Sequence, residues 1–178
     1  MFKSQIAGAF AALFLAAPLA HANPTDAGAQ GMIRCAQKML ERVEGIKMGM
    51  AAQASAQVSG FQEPVQGQRT VVYSVPMGPE INTFDKEILE LQIPNMERYF
   101  VTAADKFRNY SQNVQSGSLP SPSLFYQACA DITRAAREIK IALEKTTYAI
   151  TYQEKRGELE LLGSDLLNTS AQNGCPRS

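Results

Sequence analysis

Three cysteines, one histidine and a Met-x-Met pair are the side chains of this chain with the most chemistry to offer. A histidine would serve as general base, metal ligand or haem ligand. The only one, His21, lies in Ala20-His21-Ala22, a small-x-small tripeptide of the kind cut in secretory precursors. Upstream are a charged Lys3 and an uncharged, mostly apolar run from Ile6 to Ala20. Residues 1–22 therefore read as a signal peptide cleaved after Ala22, and the product as periplasmic or secreted. Removing 22 residues from 178 leaves 156, and His21 and Lys3 go with them. The expected mature chain then carries 16 basic and 17 acidic groups, a net charge of −1, and no imidazole.

Without histidine, nucleophilic catalysis would need Ser, Cys or Lys beside a carboxylate or lysine base. The sequence has no G-x-S-x-G, no S-x-x-K with its partner motifs and no Gly-rich phosphate loop. Ser111 and Ser164 stand in no recognisable motif. The carboxylate pairs Glu87/Glu90 and Glu158/Glu160 sit in charged helical stretches and read as solvated faces. A glycosidase needs two carboxylates converging in a cleft, which a narrow helical protein seldom makes. The chain reads as a non-enzyme with no catalytic or cofactor-binding residues. Met48 and Met50, in Lys47-Met48-Gly49-Met50, are the metal candidates, because thioethers select Cu(I). Yet Met32, Met39 and Met50 share one apolar spacing, where filling a core is the simpler role.

These residues depend on the elements that carry them. Three stretches keep the alternating 3-4 apolar spacing of helices packed along a seam. The first is Met32, Ala36, Met39, Val43, Ile46, Met50 and Ala54, preceded by capping oxygens in Asn23-Pro24-Thr25-Asp26 and stopped at Gly60. The second is Met96, Phe100, Ala103, Phe107, Tyr110 and Val114, closed by Ser116-Gly117-Ser118. Phe84, Ile88 and Leu91 form a short helical piece before Pro94, joined to it by a kink. The third is Phe125, Cys129, Ile132, Ala136, Ile139, Leu143, Thr146 and Ile150, started by Ser121-Pro122. Leu159, Leu162 and Leu166 follow in a shifted phase, as a short terminal helix after a bend near Gly157.

Residues 60–82 contain three Gly and three Pro around Arg69-Thr70-Val71-Val72-Tyr73-Ser74-Val75. This β-branched run reads as extended, with Val71, Tyr73 and Val75 on one face of a strand. The crossover exceeds the usual helix-to-helix connection of about 2–8 residues. The predicted fold is all-α: an elongated up-down-up three-helix bundle over 23–167, with the extra helical piece before helix two, the short C-terminal helix, one long crossover and a flexible tail at 168–178.

In that topology the first and third helices are parallel, and Cys35 and Cys129 each lie about two turns in. A Cys35–Cys129 disulfide is the favoured pairing, leaving Cys175 on the tail as a free or intermolecular thiol. Pairing of Cys175 with either of the others, or no internal bridge, are the alternatives. The aromatic residues of helix two suit a core, whereas Tyr99, Tyr148 and Tyr152 flank the seams and suit an interface.

A near-zero net charge gives no general attraction to nucleic acid or anionic lipid. The charges of the third helix pair as Arg134–Glu138 and Lys140–Glu144 at i, i+4, a solvated face. After signal cleavage no apolar run approaches the roughly 20 residues of a transmembrane helix. What remains is an exported protein that works by contact with another envelope or secreted protein. Its setting would be a secretion, conjugation or pilus apparatus, or inhibition of a toxin or enzyme. Arg69, Val71, Tyr73 and Val75 would add to a partner's sheet edge, Cys175 would crosslink, and a homo-oligomer is compatible. A periplasmic carrier or chaperone for a small ligand, Cu(I) or a client segment is the alternative.

Overall fold

The computed structural model describes residues 24–58, 83–146 and 153–176. The expected signal peptide, the crossover 60–82 with Arg69, Val71, Tyr73 and Val75, and the Ile150 end of the third seam lie outside the described residues.

Every regular element among the described residues is helical, in the order α1 (Asp26–Val58), α2 (Thr83–Glu87), a π-helical turn (Ile88–Gln92), α3 (Ile93–Gln115), α4 (Pro122–Thr146) and α5 (Gln153–Gln172). Thr25 caps α1: its Oγ1 accepts the Gly28 N–H at 3.0 Å. The kink expected at Pro94 takes the form of the π turn. Proline lacks an N–H, and its ring crowds the carbonyl four residues back. The widened turn relieves this, and the Ile93 N–H bonds to the Ile88 carbonyl, five residues back. α3 ends as expected: Gly117, at φ 72°, lets Ser118 N bond to Asn113 O and Gly117 N to Val114 O.

Ion pairs and hydrogen bonds fix the helix directions. Tyr110 and Ser111, late in α3, meet Pro24 and Asp26 at the start of α1, while Lys47 meets Glu97. α1 and α3 are therefore antiparallel. Lys106 pairs with Asp131, and Lys145 with Glu87, so α3 and α4 are antiparallel too. Arg42 of α1 pairs with Asp165 of α5. The helices form a ring of neighbours, α1 to α3 to α4 to α5 and back to α1. The expected helical bundle is present, and its terminal helix is not the short appendage that the phase shift suggested. α5 is 20 residues long, contains Gly157 and Asn168 without a break, and packs as a fourth member.

The predicted seams of α1 and α3 form the core. Met32, Ala36, Met39, Val43, Ile46 and Met50 are buried, as are Met96, Phe100, Ala103, Phe107 and Tyr110. Phe107 and Tyr110 meet Phe125 edge-on at 5.1 and 5.3 Å between centroids. α4 departs from its predicted seam. Ala136 and Leu143 are only half-buried, whereas Ala128, Ala135 and Ala142 are fully covered. A helix with neighbours on two sides needs a broader buried face than a single 3-4 seam supplies. Its second neighbour is α5, through Leu159, Leu162 and Leu166. Phe84 and Leu91, expected on an apolar face, are exposed; Ile88 between them is buried.

Candidate functional site

The cysteines lead to α5. Cys129 is bonded to Cys175, with Cα atoms 5.5 Å apart, and Cys35 is unbridged and buried. The predicted Cys35–Cys129 pairing is thereby corrected. The two residues do lie on parallel helices, but α1 and α4 stand across the ring with α3 and α5 between them. The tail is corrected with it. Residues 168–172 continue α5, and Cys175 is 7% exposed, so it is not available as an intermolecular thiol.

The turn that aims Cys175 is a glycine cap. Gly174 adopts φ 88°, Cys175 N bonds to Ser170 O at 3.0 Å, and Gly174 N bonds to Ala171 O. This reverses the chain at the end of α5 and carries Cys175 back towards α4. Asn173-Gly174, just past the last helical residues, was the available sequence signal. A flexible tail read as beginning at residue 168 left it without meaning.

Cys35 faces the other side of α5. It bonds to the Thr169 side chain, and burial pushes its thiol pKa up, against smaller downward effects of that bond and of Lys38. A raised pKa keeps the sulfur protonated and poorly nucleophilic at neutral pH.

Cavities lie on both sides of α5. The one towards α4 has a volume of about 610 Å³ and is lined by both bridged cysteines, Ile132, Leu167 and neutral polar side chains such as Thr133 and Asn168. None of its lining residues is charged, and Leu167 is 52% exposed. The one towards α1 is about 360 Å³ and lies over Cys35 and Met39, with Arg34, Lys38 and Asp165 in its wall.

The remaining candidates separate. Met50 is in the core at 1% exposure and Met48 points outward at 61%, so the helix does not bring the two sulfurs to one ion. Among the described residues no group of three or more His, Cys, Asp or Glu is placed to hold a metal. Ser111 has a neighbourhood that the sequence did not reveal. Its Oγ donates to Asp26 Oδ1 at 2.5 Å and accepts from Gln30 Nε2 at 2.6 Å and Gln115 Nε2 at 3.2 Å. Both hydroxyl lone pairs are taken, so this buried cluster fastens the start of α1 to the end of α3 and leaves no electron pair for attack. Ser164 Oγ bonds to the Leu161 carbonyl on the outside of α5. Glu87 reaches Lys145, and Glu158 and Glu160 pair with Lys155 and Arg156 along their own helix. Asp131, 2% exposed, is held by Lys106 and Arg134, each at 2.6 Å.

Among the described residues no helix is long and apolar enough to cross a membrane. Compared with protein-family models, with the curated proteins and with the solved structures, the chain finds no match in any of the three.

Proposed function

We propose that this chain is an exported, non-catalytic helical protein that acts in the bacterial envelope by binding another protein, as part of, or accessory to, a secretion, conjugation or pilus apparatus, or as an inhibitor. One observation carries the reading most: the Cys129–Cys175 bridge holds α5 against α4 and closes one end of an uncharged concavity of about 610 Å³. Disulfides persist in oxidising compartments, which fits export behind the signal-like segment at 1–22. The concavity lies on the outer side of the bundle, with a half-exposed Leu167 on its rim, the kind of residue that anchors a partner. The segment around Tyr73, whose β-branched sequence favours an extended chain, is a second contact proposed on sequence grounds.

The carrier alternative draws less support. A bundle that holds an apolar ligand needs room inside, and here Phe100, Phe107 and Phe125 fill the centre with no exposure. The outward turn of Met48 likewise weighs against a paired Cu(I) site.

The reading is tested by placing a photo-crosslinking amino acid at Leu167 in the chain expressed in its own cell envelope. A discrete adduct with one protein is expected, reduced when Thr133→Arg blocks the concavity and when residues 69–76 become a Gly/Ser linker. Finding the unprocessed chain in the cytoplasm, or no adduct from Leu167, overturns it.

A further inference from the structure

The α1 side of α5 differs chemically from the α4 side, and the difference names a partner. Arg34 and Lys38 stand one turn apart on α1, both exposed, in the wall of the cavity of about 360 Å³. Neither has an ion-pair partner among the described residues. The carboxylate facing them across the cavity, Asp165, is already engaged by Arg42 at 2.7 Å. Glu41, three residues beyond Lys38, makes no ion pair with it either. The wall therefore carries two uncompensated cations. Beneath them the floor is apolar and buried, formed by Cys35 and Met39, with the Thr169 side chain beside it.

We propose that this groove docks an acidic segment of the partner protein, with its carboxylates on Arg34 and Lys38. The inference rests on the protein-binding reading and deepens it by naming a surface and the charge of what it takes. Arginine offers a carboxylate two parallel N–H donors, and lysine adds a point charge one turn away. Opposite charges across such a contact raise the association rate and reject basic or neutral competitors more than they add affinity. The uncharged α4–α5 concavity provides none of this discrimination.

The test uses the mature, oxidised protein, isotopically labelled, titrated with a short synthetic peptide of alternating Glu and Leu. Amide shifts are expected to concentrate at Gly31–Met39 and Asp165–Thr169, and affinity to fall as salt is added. The exposed double substitution Arg34→Ser with Lys38→Ser is expected to weaken binding roughly fivefold. A peptide with Gln in place of Glu is expected to bind the native protein no more tightly than the Glu peptide binds the double variant, and equal affinity of the Gln and Glu peptides overturns the proposal. Shifts spread over other faces, equal affinity of the double variant, or no binding of the Glu peptide overturns the proposal. The Leu167 crosslink remains a separate readout. If the partner is captured there with equal yield by the double variant, this groove is wrong and the protein-binding reading survives. If Leu167 captures no partner, the broader reading falls first.

Discussion

Cys35 and Cys175 exchange the roles their surroundings in the sequence suggest, and the exchange is measurable. Alkylation of the folded, unreduced protein is expected to leave Cys35 unmodified at neutral pH, because its thiol is buried and its pKa raised. Alkylation after unfolding without reductant is expected to add a single label, mapped to Cys35; a label on Cys175 would refute the bridge. Titration of groups whose pKa the fold raises also sets the alkaline limit. Burial raises the pKa of Cys35 and of Tyr110, the latter with help from Asp26 and Tyr126, while the hydrogen bond and charge of Glu97 raise that of Lys47. In each case the folded state holds its proton more tightly than the unfolded chain. The stability this contributes is complete below the ordinary pKa and is lost as the pH rises through the raised one. The melting temperature should thus hold at neutral pH and decline from about pH 9, the ordinary thiol value of 9.0, upwards. Tyr110→Phe should start lower, having lost the bond to the Pro24 carbonyl, and decline less steeply above pH 10, the ordinary phenol value of 10.0. A melting temperature that rises between pH 9 and 11 would contradict this assignment.

At the scale of the element, α1 carries glycines whose surroundings differ. A Cβ on Gly45 would meet nothing within 4 Å, and the residue lies on an exposed face in mid-helix. Gly45→Ala should therefore stabilise by about 0.5–1 kcal/mol, the helix-propensity difference. A Cβ on Gly28 would fall 2.7 Å from the backbone carbonyl oxygen of Asn173, which follows α5. Gly28→Ala should cost about 1–2 kcal/mol, because the crowding outweighs the same propensity gain. Urea unfolding of the two variants decides, and equal shifts of the same sign would mean that α5 does not approach α1 there. The start of α4 was legible: Ser121-Pro122 marks it, and Phe125, Cys129, Ile132 and Ile139 are buried as the spacing predicts. Its second face was not, because Ala128, Ala135 and Ala142 look the same in a sequence whether covered or bare. Alanine is a strong helix former in either place.

At the scale of the molecule, α5 is the member whose position depends on a covalent link. Its buried apolar face is short, Leu159, Leu162 and Leu166, and its far end is held by the bridge spanning 46 residues. A loop of that size is worth about 4 kcal/mol in the chain-entropy model. Reduction, or Cys129→Ser with Cys175→Ser, should lower the unfolding free energy by about 2–4 kcal/mol. Hydrogen exchange should quicken first in α5, with α1, α3 and α4 keeping their protection. Uniform acceleration in all four helices would show instead that the bundle opens as one unit. The same link positions both cavities, so loss of the bridge should also abolish the Leu167 adduct.

The sequence alone determined the helical class, the two aromatic and methionine seams of α1 and α3, the cap at Thr25, the stop at Gly117 and the distortion before Pro94. These follow from side-chain periodicity and backbone chemistry acting within a few residues. The tertiary structure alone decided which cysteines meet, that the end of α5 is packed, that Ser111 is spoken for, and that the two sides of α5 differ in charge. Apart from Ser111, whose partners lie on α1 and α3, those outcomes depend on where a fourth helix sits in the ring. Its three leucines and its Asn-Gly cap acquire their meaning only against the alanine face of α4 and the glycines of α1.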